Sequence, residues 1–316
     1  MKKTSTMHKR RACLQALTFA ALGACAASTW ASAPLSVVTS FSILADVVKQ
    51  VGGDRVAVTA LVGPNSDAHA FAPAPKHAKM VAQAQLLVVN GWGFDAWMGK
   101  LVQQGRYQGQ VVHLTEGLTP LMKPAKQAGH DHHDHGHAHA GKQDPHAWQD
   151  VRSVMHYVTR LVPALCQAAP ADCKHFEQGA VRYQTELEAL HQDVLRRWQA
   201  VPADKRQVFT SHAAYRYYGQ AYGVTFAAAQ GVSTESEPSA KAMGQLVRQI
   251  RASGARVVFL ENISNPQLMK RLADETGARV GGQLYSDALT EAHGPAPTYV
   301  DLIKANTQTL IAALTS

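Results

Sequence analysis

The chain of 316 residues has only four cysteines, and two of them, Cys13 and Cys25, lie in its first 33 residues. The remainder holds just Cys166 and Cys173, which excludes a framework of several disulfides. No helix interleaves basic with aromatic residues, so there is no nucleic-acid footprint. There is no His-Glu-x-x-His pair, no nucleophile elbow and no phosphate loop, which removes the commonest hydrolase and nucleotide-binding signatures. Nor is there an apolar run long enough to span a bilayer stably; Leu14 to Ala27 is the nearest approach and is too short.

That short run reads instead as the apolar part of an export leader covering Met1 to Ala33. Lys2, Lys3, Lys9, Arg10 and Arg11 precede it, and Ala31-Ser32-Ala33 supplies a small-residue cleavage pattern. Arg10-Arg11 followed by Leu14-Gln15 resembles a twin-arginine signal. Leu22-Gly23-Ala24-Cys25 resembles a lipobox, which would place a lipid on Cys25; cleavage after the alanines is the preferred reading. Losing the five basic residues lowers the formal charge from +8 to +3. About 280 residues remain, enough for two ordinary domains. In an oxidising compartment, Cys166 and Cys173 flank a Pro-containing turn, Gln167 to Asp172, and suit a local disulfide; free thiols are the alternative, because geometry decides.

What is present is an alternation of strand and helix signals. Strands are expected at Leu35 to Thr39, Val56 to Val62, Leu86 to Val89 and Val111 to Leu114. Helices are expected from Ile43 to Val51, with Ser42 as cap, and at Pro75 to Ala84, Phe94 to Gln104 and Val151 to Leu165. Cys173 to Ala200 has no proline and one glycine. Its Val181, Leu187, Leu190, Val194 and Trp198 fall at helical spacings, which predicts one long amphipathic helix. The alternation then restarts, with strands at Val208 to Thr210, Val224 to Ala228, Val257 to Glu261 and Arg279 to Gln283. Helices follow at His212 to Ala221, Ala240 to Ala252, Pro266 to Glu275 and Tyr299 to Leu314. The architecture this predicts is α/β: a first lobe over 34–172, a linking helix over 173–201 and a second lobe over 202–316, each lobe with a mainly parallel sheet flanked by helices.

The stretch Gly129 to Gly141 breaks that alternation. It holds His130, His132, His133, His135, His137 and His139, interrupted by Asp131 and Asp134, and no large apolar side chain. Such a composition cannot offset the entropy of ordering, and it reads as an imidazole-rich loop that binds metal through auxiliary sites.

Four further residues stand just beyond the carboxyl ends of strands or at the end of that tract: His69, His146, His212 and Asp287. Ligands of open α/β sheets bind in that position. A lone loop histidine carries little weight; two residues from each lobe, jointly placed, carry more. His77, His156, His175 and His191 fall on expected helices and read as structural. His293 lies in the loop Glu291 to Pro295 and could reach a second ion.

On these motifs the chain resembles the zinc/manganese receptors of bacterial ABC importers, the cluster A-I substrate-binding proteins. The matching stretches are His69-Ala70-Phe71-Ala72-Pro73, Asp144-Pro145-His146-Ala147-Trp148 and Ser211 to Tyr218 leading to Tyr222-Gly223. Further matches are Glu237-Pro238-Ser239-Ala240, Val258 to Glu261 with Asn265-Pro266, and Tyr285 to Leu289 followed by Thr298-Tyr299. The resemblance spans essentially the whole mature length. It implies two lobes bridged by one rigid helix, with metal in the interlobe cleft held by His69, His146, His212 and Asp287. Ala72 and Asn262 depart from the family pattern, which often has Glu and Pro there, but neither is an implied ligand.

Three imidazoles and one carboxylate suit four-coordinate Zn²⁺, whereas Mn²⁺ prefers more oxygen donors. Manganese members of the family typically carry a carboxylate at the place of His212, and a His-rich loop resembles the zinc branch. The expectation is therefore a periplasmic, monomeric zinc receptor whose partner is the membrane permease of an ABC importer. The alternatives are a zinc buffer without a transporter, a manganese receptor, or a zinc hydrolase using Glu235, Glu237 or Glu261 as base.

Overall fold

A computed structural model describes residues 33–122 and 143–316; the leader and the His-rich tract lie outside them. In the first lobe, β1 (Leu35–Phe41), β2 (Val56–Val62), β3 (Leu86–Val89) and β4 (Gln110–His113) form one parallel sheet in the order β2-β1-β3-β4. The two inner strands hide nearly every side chain, while β2 and β4 alternate or expose theirs. Helices on both faces of a parallel sheet impose that difference between centre and edge. Those helices are α1 (Ser42–Gly52), α2 (Pro75–Gln83) and α3 (Trp97–Gln104). On α1 the buried stripe is Ile43, Leu44, Val47, Val48 and Val51, the spacing that one face of a helix requires.

Two long helices carry the chain across. α4 (Val151–Ala168) starts at Asp150, whose carboxylate accepts the Arg152 N–H, and runs through Pro163. α5 (Cys173–Gln199) is 27 residues long, about 40 Å at the usual rise of ~1.5 Å per residue. Cys166 and Cys173 are joined by a disulfide that ties the end of α4 to the start of α5. The buried stripe of α5 is Phe176, Tyr183, Leu187, Leu190, Val194 and Trp198. Val181, which the sequence pattern groups with that stripe, is 65% exposed because it falls between its rows. Gly179 lies where α5 crosses the end of α1: a β-carbon there would stand 2.0 Å from the Val51 carbonyl oxygen, so only glycine permits the approach.

The second lobe is built from two parallel ladders, β5 (Gln207–Thr210) with β6 (Thr225–Ala228), and β7 (Val257–Glu261) with β8 (Arg279–Leu284). β5 and β7 run beside each other. Around them stand α6 (Arg216–Tyr222), α7 (Ala240–Ser253), α8 (Pro266–Thr276) and α9 (Tyr299–Thr315). Phe209, Leu246, Ile250, Val258, Met269 and Leu272 form this lobe's own core, while a larger core runs from Leu35 through α4 and α5 to Leu310. The two lobes therefore share buried apolar surface as well as α5.

Three expectations shift. Ser42 does not cap α1: Phe41 holds the cap position, and the Ser42 hydroxyl accepts the N–H of Leu289 in the second lobe. The helix expected from Phe94 begins at Trp97, after Gly91, Trp92 and Gly93 adopt positive φ of 101°, 52° and 83°. The helix expected from His212 begins only at Arg216; ahead of it the Ala213 N–H is bonded to the Gly231 carbonyl and the Ala214 N–H to that of His212, so the chain leaves β5 as a loop.

Candidate metal centre

Each of the four sequence-derived residues sits in a short loop held by its own set of backbone bonds. His69 follows β2; its N–H donates to Asp67 Oδ1 at 2.8 Å, and the carbonyl of Ala68 accepts the Trp97 indole N–H at 3.0 Å. His146 is fixed from several directions. Asn90 donates to the Pro145 carbonyl (3.0 Å), the Tyr217 hydroxyl donates to that of Asp144 (2.9 Å), and the His146 N–H reaches Asp144 Oδ1 (3.2 Å). His212 leaves β5 with its own N–H and that of Ser211 both given to Glu261 Oε1. Asp287 follows β8; the preceding carbonyl, of Ser286, accepts the Trp148 indole N–H (2.8 Å) and the Gln149 amide (2.6 Å).

These loops bring the four side chains together, with one donor atom from each lying within 4.8 Å of all the others. His69 Nε2 is 3.3 Å from His146 Nε2 and 3.3 Å from Asp287 Oδ2. His212 Nε2 is 3.1 Å from Asp287 Oδ2, and His146 Nε2 is 3.7 Å from Asp287 Oδ1. The side chains of His146, His212 and Asp287 are wholly buried and that of His69 is 6% exposed. Asp287 Oδ1 has no hydrogen-bond donor among the described residues, an orphan that a low-dielectric interior tolerates only with a compensating charge.

Behind two of the imidazoles stands a carboxylate. Asp144 Oδ1 is 2.8 Å from His146 Nδ1, and Glu261 Oε2 is 2.5 Å from His212 Nδ1. A carboxylate only accepts, so these contacts favour a proton on each Nδ1, and each Nε2 faces the cleft. Sequence reading did not single out Asp144 and offered Glu261 only as a hydrolytic base. The Asp-x-His spacing was a usable signal for the first; the second becomes visible only once β7 is laid beside β5.

The electrostatics follow from this arrangement. Burial lowers the proton affinity of all three imidazoles. At His212 the charges of Glu261 and Asp287 outweigh it and hold the ring well above its ordinary value; at His146, Asp287 and Asp144 do the same. His69 has no carboxylate behind it, and burial keeps it low despite Asp287. Burial would raise Asp287, but His212 and His146 override that and pull it well below the usual range. Phe41, Phe94 and Trp148 pack at 4.7 to 5.0 Å between ring centres beneath the cluster and keep it dry. Beside His69 and Phe94 an open cavity of about 370 Å³, lined also by Phe71, Trp92, Trp97, Lys100 and Glu235, leads to solvent.

The six loop histidines, His130, His132, His133, His135, His137 and His139, lie outside the described residues. His191 is buried, with Nδ1 3.1 Å from the Tyr222 hydroxyl, and His77 Nδ1 accepts the Ala74 N–H. His293 is exposed and is not part of the four-residue cluster.

Residues 37–313 match the ZnuA family, described as zinc-uptake complex component A, periplasmic. The zinc-binding protein TroA of Treponema pallidum is 30% identical over 283 residues, covering 88% of each chain. Its solved structure superimposes with a TM-score of 0.79, over 89% of this chain and 99% of that one. The manganese-binding lipoprotein MntA of Halalkalibacterium halodurans is 28% identical, over 89% of this chain and 88% of its own. A manganese-bound periplasmic metal-binding protein from candidatus Liberibacter asiaticus gives a TM-score of 0.76 at 26% identity, over 89% and 99% of the two chains.

Proposed function

Because the chain belongs to the ZnuA family of periplasmic metal-uptake components, we propose that it is the receptor that captures Zn²⁺ and delivers it to the membrane permease of an ABC importer. His69, His146, His212 and Asp287 are the ligands in this reading. The observation that carries it is the spacing of the donor atoms. Zinc bonds of about 2.0–2.2 Å place the corners of a tetrahedron roughly 3.3–3.6 Å apart. His69 lies 3.3 Å from His146 and from Asp287 Oδ2, and His212 3.1 Å from that oxygen, close to that edge, with all four donors within 4.8 Å of one another.

Relatives of this chain are named for zinc and for manganese, so the fold alone does not choose the ion. The donor set supports zinc: three borderline nitrogens and one oxygen, in a cluster closed on most sides, leave little room for the extra oxygen ligands that manganese favours. Binding neutralises the orphaned Asp287 oxygen and draws on imidazoles whose Nε2 atoms already point inward. The mature protein works in the periplasm after removal of its leader, and the tract Gly129 to Gly141, outside the described residues, gathers zinc weakly.

The test is direct competition between Zn²⁺ and Mn²⁺, followed by calorimetry on the wild type and on His212→Glu. A strong zinc preference that moves toward manganese in the variant is the expected result. Equal affinity for the two ions in the wild type would overturn the zinc assignment.

A further inference from the structure

Glu261 is the carboxylate in the cleft that is neither a ligand nor neutralised by a basic side chain. It is 3% exposed, at the carboxyl end of β7, and its oxygens divide their work. Oε1 accepts the N–H of Ser211 (2.9 Å), the hydroxyl of Ser211 (2.5 Å) and the N–H of His212 (3.0 Å). Oε2 lies 2.5 Å from His212 Nδ1 as an ion-pair contact, and neither atom has a hydrogen-bond partner among the described residues. Asp144, in the equivalent place behind His146, also takes Arg216 Nη1 at 3.2 Å, so its charge is shared. His69 has no such support.

We propose that Glu261 is a positioning residue for zinc capture: it holds His212 with the proton on Nδ1, so that Nε2 meets the ion as a bare lone pair, and its unshared charge complements a divalent cation. This rests on the reading of His212 as a ligand. One oxygen fixes the backbone of the ligand loop and the other fixes the ring, so the loop cannot turn the imidazole without breaking both. With neutral imidazoles, Asp287 and Glu261 leave two negative charges beside the ion once Asp144 is paired with Arg216. That matches one M²⁺ and disfavours a monovalent soft ion. Outer carboxylates behind a metal-bound histidine typically account for about 10- to 100-fold in affinity.

Glu261→Gln separates the two jobs. The amide oxygen can still accept from Ser211 and His212 N–H, while the amide nitrogen presents hydrogens to Nδ1 and favours the tautomer whose Nε2–H points at the ion. Zinc affinity is expected to fall about 10- to 100-fold, with the metal-free melting temperature near that of the wild type. Cobalt(II) titration is expected to show a weakened visible band, because one nitrogen leaves the four-coordinate set. The same change made in His212→Ala is expected to cost less than about fivefold, since no ring remains to orient. Wild-type zinc affinity in Glu261→Gln, or an equal loss in both backgrounds, overturns the proposal. If His212→Ala itself binds zinc like the wild type, the ligand reading falls and this one with it; a weak His212→Ala beside an unaffected Glu261→Gln removes only the role of Glu261. Should the glutamine variant not fold, Glu261→Asp keeps the charge but withdraws it by one methylene. A loss of zinc affinity confined to the background that retains His212 then supports the proposal, and an equal loss or none overturns it.

Discussion

The floor of the cleft and its mouth hold the same kind of side chain, an imidazole of the four-residue cluster, in different ways. At the floor, His212 is wholly buried, with its ring and its backbone both bonded to Glu261. At the mouth, His69 borders an open cavity, has no carboxylate behind it, and is steadied mainly through its backbone by Asp67. The contrast teaches that coordination number alone does not describe this site. A buried ligand that is oriented beforehand loses little freedom on binding, whereas an exposed one can be replaced by water when it is removed.

Substituting one ligand from each region tests that contrast most strongly. His212→Ala is expected to weaken zinc by on the order of 1,000-fold, ~4 kcal/mol, and His69→Ala by roughly 10- to 100-fold. Calorimetry with a competing chelator measures both. Equal losses would abolish the distinction between floor and mouth.

Acidification is the next largest lever, and its sign follows from the proton affinities. In the metal-free cleft His146 and His212 are raised above the ordinary imidazole value, so they hold protons that zinc must displace; His69 is lowered and holds none near neutrality. Affinity should therefore fall as pH drops from 7.5 to 5.5, by up to about tenfold per pH unit for each proton displaced. His212→Ala should show a shallower slope by about one proton, and His69→Ala an unchanged one. A slope that flattens in His69→Ala instead would place the titrating ring at the mouth.

The smallest effect belongs to a rim contact. Thr234, from the second lobe, donates to Asp67 Oδ2 at 2.5 Å, while Asp67 Oδ1 accepts the His69 N–H. Thr234→Val is expected to speed zinc release about two- to tenfold, in line with ~0.5–1.5 kcal/mol for one hydrogen bond, and to leave capture unchanged. Stopped-flow transfer to a chelator reads the rate. A larger effect would mean that the rim, rather than the floor, controls retention.

Much of this was legible in the chain itself. Val56 to Val62 and Leu86 to Val89 are apolar enough to specify strands at those bounds, and the run from Cys173 specifies the linking helix nearly to its last residue. Three of the four convergent residues were legible because each lies just past the end of a strand; His146 was legible from the Asp-Pro-His motif that closes the His-rich tract. Less was legible where a side chain is claimed by something distant. His212 sits in a sequence with helical character, yet its N–H is accepted by Glu261, 49 positions away, and the next N–H by the Gly231 carbonyl. Ser42 looks like a cap, yet its hydroxyl is taken by Leu289, 247 positions away. Local propensity cannot anticipate a partner supplied by tertiary packing.

Asp287 has one more consequence. By chain order it belongs to the second lobe, but its segment is fastened to the first as well. Trp148 and Gln149 hold the Ser286 carbonyl, Asn65 and Ser42 hold both backbone groups of Leu289, and Asp46 Oδ2 accepts the N–H of Tyr299. Its own lobe holds it too: Asn306 bonds both backbone groups of Tyr285, and Asn262 bonds the carbonyls of Leu284 and Ala288. The segment that carries Asp287 is thus stitched into both lobes, and His212, held from behind by Glu261, already stands 3.1 Å from Asp287 Oδ2, so the donors are gathered before an ion arrives.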